Sequence, residues 1–295
     1  MDKNRWFDRL RTGVNLCFTA LTNGYAAGFA KGKIYQGRLK RFCLPGLNCY
    51  SCPGALGACP IGALQAVLTD RGHWCSFYMV GFFLFVGAVL GRFVCGWMCP
   101  FGLVQELVHK IPFPRKKVRR LPGDRYLRKV KYAVLILLVI LLPLLVTDGS
   151  GQGQPWFCQY LCPSGTLLGG IPLLAANPVL RGALGWLFSW KFTVLAALLL
   201  FSAVVYRPFC RYLCPLGAIY GLFNPIAFCR LRFDKARCTH CGCCARACKM
   251  DIVPCETPNS AECIRCGDCV GACPHGALSM PFRSPSARPV SKEVK

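Results

Sequence analysis

The sequence predicts a mainly α-helical membrane protein with about four transmembrane helices, followed by a small α+β domain. Three observations support this fold class. The 295-residue chain is 54% hydrophobic and only 16% charged, whereas about 25% of the residues in a soluble domain are charged. Long apolar runs alternate with basic segments, and 23 cysteines recur at short spacings. Low charge combined with long apolar runs is typical of membrane-spanning proteins.

The composition also argues against other classes of protein. Secreted disulfide scaffolds are rich in cysteine, but they are short and weakly apolar. The formal charge of +24 would suit a nucleic-acid-binding protein, yet the basic residues flank apolar runs, which indicates membrane orientation instead. The chain has no Cys-x2-Cys-His motif and no GxxxxGK[ST] loop, so haem attachment and ATP-driven transport are disfavoured. We therefore expect the membrane as a partner, and no nucleic acid.

The predicted transmembrane helices follow the apolar runs. Three runs, at 74–93, 132–146 and 183–206, are the strongest candidates. The second of them is short for a hydrocarbon core of about 30 Å, so its flanks have to contribute. A weaker run at 12–30 contains asparagines and a glycine, and it is either a fourth span or an interfacial helix.

The basic segment 110–131 predicts the orientation of these helices. It holds ten Lys and Arg residues against one acid, Asp124. By the positive-inside rule this segment lies in the cytoplasm, and alternation then places the C-terminal region on the same side. We therefore expect a multi-pass protein of the cytoplasmic membrane.

Four regions are predicted along the chain. The first combines the weak span with a cysteine-rich outer segment, the second holds the spans and most Cys-Pro motifs, the third is a cysteine-rich domain, and the last is a disordered Pro/Ser-rich tail. Their boundaries are 1–73, 74–228, 229–280 and 281–295.

The C-terminal cysteines form two runs of four. The runs are Cys238-x2-Cys241-x2-Cys244-x3-Cys248 and Cys263-x2-Cys266-x2-Cys269-x3-Cys273. This is the spacing of two-cluster bacterial ferredoxins, in which the fourth cysteine of each run ligates the other [4Fe-4S] cluster. Cluster 1 would then take Cys238, Cys241, Cys244 and Cys273, and cluster 2 would take Cys263, Cys266, Cys269 and Cys248. A zinc site would instead need only two Cys-x2-Cys pairs.

A second type of motif lies beside the apolar runs. Cys95 and Cys99 are four residues apart and precede Pro100, and Cys210 and Cys214 repeat the pattern. Proline suits the first turn of a helix, and the preceding cysteine then lies at the helix N-terminus, where the dipole favours an anionic sulfur. All four thiols fall at the predicted cytoplasmic side, which is enough for one further cluster. The alternatives are a redox disulfide and merely buried thiols.

Five further cysteines fall on the predicted outer side. They are Cys49, Cys52, Cys59, Cys158 and Cys162. A second additional cluster could take three ligands from the first three and its fourth from the last two. The expected cofactors are thus two [4Fe-4S] clusters in the tail and one or two more at these motifs.

The motifs resemble a known family. Paired Cys-x3-Cys-Pro motifs beside membrane spans, followed by a two-cluster C-terminal region, are similar to the membrane-bound 4Fe-4S proteins of the NapH, NosR and CcoG type. The resemblance covers about residues 74–280. It implies about four spans, a cytoplasmic ferredoxin-like domain, and electron transfer coupled to quinol or to another redox protein. The third Cys-x3-Cys-Pro pair and the added cysteines of the outer segment depart from the simplest NapH pattern.

The leading functional hypothesis is a membrane iron–sulfur protein that relays single electrons between the quinol pool, or an outer redox partner, and a cytoplasmic partner. Any enzymatic activity would be that of a quinol dehydrogenase component. A candidate quinone-side group is His109, with Gln105 and Glu106 beside it; the alternative is an ordinary interfacial histidine. Two other hypotheses are reduction or delivery of copper by soft thiol ligands during assembly, and a membrane redox sensor.

Overall fold

The protein is mostly helical in a computed structural model that describes residues 3–70, 77–112, 117–149, 152–182 and 184–281. The predicted disordered tail at 281–295 lies, beyond its first residue, outside the described residues.

The N-terminal half contains eight α-helices in the described ranges. They are α1 (Lys3–Thr22), α2 (Ala26–Lys31), α3 (Pro60–Thr69), α4 (Phe77–Val89), α5 (Phe93–Trp97), α6 (Pro100–Lys110), α7 (Asp124–Val134) and α8 (Leu142–Leu145). A short 3₁₀ turn covers Arg38–Arg41, and π-helical turns at Leu135–Leu141 join α7 to α8.

The rest of the described chain continues this pattern of short helices. They are α9 (Pro163–Gly165), α10 (Ile171–Ala176), α11 (Pro178–Gly182), α12 (Trp186–Val204), α13 (Pro208–Tyr212), α14 (Pro215–Phe223), α15 (Cys243–Ala247) and α16 (Asp268–Ala272). Two π-helical stretches, Phe157–Leu161 and Thr166–Gly170, flank α9.

The prediction of four transmembrane helices is wrong for this structure. Among the described residues only α12 is long and apolar enough to cross a membrane. The helix α4 has 13 residues and is followed by a turn in which Gly91 has φ of +52°. The run at 132–146 is divided among α7, a π-helical stretch and α8, and α1 ends at Thr22 within the weak fourth run. Apart from the run that forms α12, the predicted apolar runs therefore do not become single long helices here.

The prediction of an α+β C-terminal domain is also overturned. The sheet there consists of β1 (Arg232–Phe233) and β2 (Leu278–Ser279), two residues each, paired antiparallel. The only helices described beside it are α15 and α16, of five residues each. Closely spaced cysteines leave little chain for regular structure, so loops make up most of this region.

One core connects the helical part with the C-terminal segment. The helix α12 packs against α6, α14 packs against α4 and α7, and α1 packs against both α6 and α16. The largest cluster of buried residues includes cysteines from the Cys-Pro motifs together with Cys248 and Cys266 of the C-terminal runs. The Cys-Pro motifs thus share an interior with part of the C-terminal segment, whereas Cys244 and Cys269 belong to a separate small core.

Candidate metal centres

Four thiols from two distant motifs meet in the core. The inner quartet consists of Cys95, Cys99, Cys210 and Cys214, and all four side chains are buried. Cys95 lies in α5 and Cys210 in α13, whereas Cys99 and Cys214 cap the N-termini of α6 and α14. Each thiol interacts electrostatically with others of the set. The structure thus brings together two motifs that lie 115 residues apart.

The Cys-Pro-x-Gly sequence determines where the second sulfur of each pair lies. The Sγ of Cys99 accepts a hydrogen bond from the Gly102 N–H at 3.4 Å, and the Sγ of Cys214 accepts one from Gly217 at 3.4 Å. Each proline occupies the first helical position, where its missing N–H leaves no hydrogen bond unmade. The free N–H groups of the first turn therefore face the sulfur, which favours a negatively charged ligand there.

Two buried arginines link the two Cys-x3-Cys-Pro motifs of the inner quartet by hydrogen bonds. Arg92 and Arg207 each lie three residues before the first cysteine of a repeat, and both are completely buried. Arg92 donates to the carbonyl of Cys210 at 2.9 Å, and Arg207 donates to the carbonyl of Cys95. Each repeat therefore supplies its arginine to the other repeat in a pseudo-two-fold arrangement. Sequence reasoning missed these residues, although Arg-x2-Cys-x3-Cys-Pro-x-Gly occurs in both copies.

Glycine is required for this crossing. A Cβ at Gly102 would lie 3.2 Å from the Arg207 guanidinium, and a Cβ at Gly217 would lie 3.2 Å from that of Arg92. Both contacts are tighter than ordinary van der Waals distances. The glycine of each motif thus makes room for the arginine of the other.

Carboxylates balance the two arginines. Arg207 pairs with Glu106 at 2.6 Å, and Glu106 also binds the buried Arg11. Arg92 pairs with Glu262 at 3.1 Å, and Glu262 also binds Lys131. Burial alone would raise the pKa of Glu106, but Arg207 and Arg11 outweigh it and hold that pKa well below its usual range. Each carboxylate is shared by two cations, so positive charge remains beside the quartet.

The three residues predicted as a quinone-binding group make other contacts in the structure. The Gln105 amide donates to the Cys210 Sγ at 3.2 Å, Glu106 lies in the ion-pair network, and His109 Nδ1 lies 3.0 Å from the Ser202 carbonyl oxygen. These three side chains therefore support the inner quartet and its helices.

A second quartet forms from the outer cysteines. The outer quartet consists of Cys49, Cys59, Cys158 and Cys162, which interact electrostatically with one another. A Cβ at Gly165 would lie 3.6 Å from the Cys49 Sγ and 3.9 Å from the Cys162 Sγ, so one glycine adjoins two of the sulfurs. Lys191 donates to the Cys158 carbonyl at 3.2 Å. The structure thus combines two cysteines of the first outer group with both cysteines of the second.

The fifth predicted outer cysteine has a different environment. The Cys52 Sγ lies 3.3 Å from the Asn23 side-chain oxygen and next to Lys40. Its role as a ligand stays a prediction, but the geometry favours the other four.

The protonation state of the free thiols determines what happens when a metal centre binds. Burial raises the pKa of Cys99 to about 12, with Cys210 adding to the rise, and burial likewise raises the pKa of Cys162 to about 12. The uncomplexed thiols would therefore be neutral, and binding a metal centre would release their protons. Among the described residues, no three His, Cys, Asp or Glu side chains are close enough to hold one metal ion. Each quartet nevertheless brings four mutually interacting thiols together, and four thiolates are the ligand set of a [4Fe-4S] cluster.

The C-terminal cysteines line two separate cavities. One small cavity is lined by Cys238, Cys241, Cys244 and Cys273. The other is lined by Cys248, Cys263, Cys266 and Cys269. Each cavity thus receives three cysteines from one run and the last cysteine of the other. The geometry fits the crossed ligation, and the individual ligand assignments stay predictions.

The two runs share one backbone conformation. His240 and Arg265, which precede the second cysteine of their runs, both have φ of +54°. Gly242 and Gly267, which follow that cysteine, have φ of +71° and +81°. A left-handed conformation costs a non-glycine residue roughly 1–2 kcal/mol, so its repetition indicates that both loops wrap around the same kind of group.

Two cysteines of this region, Cys243 and Cys255, do not belong to the predicted ligand sets but lie close to cysteines that do. Cys255 lines the cluster 1 cavity and interacts with Cys244, and burial together with Cys255 raises the pKa of Cys244 to about 11. Arg246 donates to the Cys243 Sγ at 3.1 Å. Sequence spacing gave no signal for Cys255, which lies outside both runs.

Comparison with known sequences agrees with this chemistry. A family described as "4Fe-4S binding domain" matches residues 73–120, 132–174 and 183–234, and a second family with the same description matches 257–279. Each of the first three segments contains one Cys-x3-Cys-Pro pair. The chain thus carries 4Fe-4S binding domains and is similar to ferredoxin-type electron-transport proteins such as NapH. The resemblance inferred from the motifs is therefore confirmed.

Several curated proteins are similar to this chain. An uncharacterized protein of Methanocaldococcus jannaschii is 31% identical over 65% of this chain and 65% of its own length. The methylamine utilization ferredoxin-type protein MauN of Methylorubrum extorquens is 30% identical over 66% of this chain and 58% of its own. The ferredoxin-type protein NapH of Haemophilus influenzae is 27% identical over 55% and 49%. The chain thus spans less than two thirds of these relatives, and no solved structure matches it significantly.

The ferredoxin-type segment docks directly on the inner quartet. A Cβ at Gly96 would lie 2.3 Å from the Ile264 carbonyl oxygen, so only glycine permits this approach. The Trp97 indole donates to the Arg265 carbonyl at 3.0 Å, and the Asn224 amide donates to the Cys263 carbonyl at 2.8 Å. The cluster 2 cysteines therefore lie next to the inner quartet, and the cluster 1 cavity lies beyond them.

Two residues connect the inner quartet with the outer quartet. The backbone of Leu47 forms a hydrogen bond with the Cys99 thiol, and the Leu47 carbonyl accepts a hydrogen bond from Ser164 at 3.2 Å. The buried Tyr220 interacts electrostatically with cysteines of both quartets, and its hydroxyl donates to the Pro45 carbonyl at 3.0 Å. The inner quartet is thus in contact with the outer quartet on one side and with the segment of the cluster 2 cysteines on the other.

Proposed function

We propose that this ferredoxin-type protein relays single electrons through four [4Fe-4S] clusters. Two belong to the C-terminal cavities, one to the inner quartet and one to the outer quartet. The observation that carries the proposal is the order of the sites, in which each cysteine set adjoins the next through direct contacts. A [4Fe-4S] cluster exchanges one electron at a time, and its ligands, hydrogen bonds and burial set its potential.

The outer quartet is the proposed site of exchange with a small redox carrier. A cavity of about 580 Å³ adjoins it and is lined in part by Cys59 and Cys158. Most of its wall is apolar, and Tyr50, Tyr78 and Lys40 supply a few polar groups. An apolar ring with two hydroxyls, such as a quinol, fits this chemistry. Its oxidation to the quinone would release two protons to water and pass two electrons singly to the cluster.

Membrane association is supported by the outer surface of the helices. Only 17% of the apolar window of α12 is buried inside the protein. Large apolar side chains also face outward on other helices, among them Phe77 and Phe85 on α4 and Leu145 on α8. Soluble monomers seldom expose this much apolar surface. We therefore place the protein at a membrane, with the basic segment 110–131 on the cytoplasmic side.

The test combines iron analysis with reduction by a quinol analogue. The purified full-length chain should contain about 16 iron atoms, four for each cluster. Menadiol should reduce the clusters anaerobically, as monitored by electron paramagnetic resonance (EPR). Ala66→Trp would fill the cavity beside the outer quartet and should slow reduction by menadiol without slowing reduction by dithionite. Ala20→Trp, on the exposed side of α1, is the matched control. Iron only in the C-terminal segment, or equal menadiol rates in both variants, would contradict the proposal.

One observation favours a second candidate function, the reduction of a soft metal ion. The Cys43 Sγ lies 3.7 Å from the Met79 Sδ, and both residues line the same cavity. A thiolate and a thioether are the ligands that Cu(I) prefers. A chain loaded with iron should then bind one Cu(I) ion in competition with a chelator, and Met79→Leu should weaken that binding. Reduction of Cu(II) without any reaction with menadiol would favour this function over quinol exchange.

A further inference from the structure

The cluster 1 cavity is the end of the relay that faces away from the core. Cys241 at this cavity is exposed and Cys238 is half-buried. By contrast, Cys248, Cys266 and Cys269 of the other cavity are all buried. An electron that leaves or enters the C-terminal segment would therefore do so at the cluster 1 cavity, where the sulfur ligands come nearest to solvent.

The surface around this cavity is basic. Arg237, His240 and His275 line the cavity, Lys235 is exposed two residues before Arg237, and Arg246 approaches the Gly242 turn. We name these five residues the basic rim. The nearest acid in the sequence, Asp234, pairs with Arg237 at 3.2 Å, but these side chains are 50% and 58% exposed. An exposed pair of this kind contributes little and is screened by salt, so the rim remains positively charged overall.

A basic surface around a redox centre selects its partner by charge. Complementary potentials speed the encounter of two proteins by about 10- to 1000-fold at low salt. The exposed sulfur ligand at the middle of the rim favours a protein that exchanges electrons over a nucleic acid or a lipid surface, because neither of those would make use of the cluster.

We propose that the basic rim is the docking surface for an acidic redox protein that exchanges single electrons with cluster 1. This inference rests on the proposed electron-transfer function and adds the site and the chemistry of the partner. One electron passes from the reduced member of the pair to the oxidised one, and no bond forms or breaks.

The experiment uses two soluble redox proteins of opposite charge as probes. The full-length protein is reduced with dithionite, freed of excess reductant, and mixed with an acidic flavodoxin or with basic cytochrome c in a stopped-flow instrument. We expect faster transfer to flavodoxin, with a rate that falls at least about tenfold between low and high salt. Reversing two rim charges, in Lys235→Glu/Arg237→Glu, should slow flavodoxin reduction by about tenfold at low salt and speed cytochrome c reduction.

Two controls separate docking from other effects. Lys31→Glu, an exposed site on α2, alters the net charge away from the rim and should leave both rates nearly unchanged. Lys235→Gln/Arg237→Gln should give an intermediate rate, and the EPR spectra of all variants should match that of the original protein. Absence of the clusters would contradict the proposed function itself.

Several results would overturn the docking proposal while leaving electron transfer intact. One is equal slowing by Lys31→Glu and the rim variants. Another is a dithionite-reduced protein that passes electrons to neither probe or prefers cytochrome c. A third is rim variants that lose binding to phosphatidylglycerol vesicles but keep their flavodoxin rate, which would assign the rim to an anionic membrane surface.

Discussion

The inner and outer quartets use the same local motif in different surroundings. In both, the cysteine of each Cys-Pro-x-Gly turn lies at a helix N-terminus. Two buried arginines and a glutamine amide surround the inner quartet. The outer quartet interacts with two lysines, Lys40 and Lys191, and adjoins a cavity of about 580 Å³. The motif thus determines where the sulfur lies, and the surroundings determine what the site can exchange.

This difference suggests that the two quartets have different roles in electron transfer. Fixed positive charge beside the inner quartet favours a reduced, more negative cluster and so raises its potential. The wall of protein around it excludes small molecules. The outer quartet can meet a carrier through its cavity, so substrate exchange belongs there and internal transfer belongs to the inner site.

The largest expected effect is the loss of the inner cluster itself. Cys99→Ala should lower the iron content of the full-length protein by about four atoms per chain, and adding Cys214→Ala should cost almost no further iron because the two residues act as one unit. Cys229→Ala is the matched control, since Cys229 is equally buried but belongs to neither quartet. Iron and sulfide analysis with EPR is the measurement. Equal iron in Cys99→Ala and Cys229→Ala would mean that the inner quartet binds no cluster.

Removing the charge of Glu106 should destabilise the inner site strongly. Glu106→Gln leaves the buried Arg207 without a carboxylate, while Arg11 keeps its pair with Asp8. Breaking a buried ion pair in this way costs about 3–5 kcal/mol. Thermal or denaturant unfolding measures the loss, and Glu256→Gln, at an exposed site, should cost almost nothing. Among the residues that the structure describes, no buried carboxylate pairs with a cation beside the outer quartet, so this sensitivity should be specific to the inner site.

The pH dependence of Glu106 has a definite sign. Because its folded pKa lies below the usual carboxyl range, its contribution to stability is complete above that range and is lost as the pH falls towards the folded pKa. The original protein should therefore lose more stability than Glu106→Gln on acidification below about pH 4.5. Parallel stability curves for the two proteins would contradict the ion-pair assignment.

A smaller effect is expected at Lys191, one of two lysines that interact with the outer quartet. Lys191→Met removes a positive charge next to Cys158, so the outer cluster should become harder to reduce by a few tens of millivolts, the equivalent of roughly 1 kcal/mol for one charge in a partly solvated site. Redox titration followed by EPR should show the inner cluster unchanged. Lys33→Met, at an exposed position, provides the charge-matched control.

The smallest effect is expected at the contact between the quartets. Tyr220→Phe keeps the ring between the two sites but removes the hydrogen bond to Pro45, which is worth about 0.5–1.5 kcal/mol. Unfolding should show that modest loss, with the full iron content retained. A loss of iron from either quartet in this variant would show that the hydroxyl does more than hold the Pro45 loop in place.

The sequence by itself determined the features that depend on near neighbours. The spacing of the two C-terminal runs indicates a pair of clusters, because short gaps return the chain to adjacent irons. The Cys-Pro-x-Gly phrase indicates a thiol at a helix N-terminus, because proline and glycine act within one turn. The family followed from these motifs, and the comparisons bear it out.

Only the tertiary structure decided the features that depend on residues far apart in the chain. The crossing of Arg92 and Arg207, the pairing of Glu262 with Arg92, and the contact of Cys52 with Asn23 all require the packing of distant segments. Helix lengths also depended on that packing, since an apolar run shows that a segment avoids water but not where its helix turns or ends. The predicted four spans failed for that reason, while the local geometry of the thiols did not depend on them.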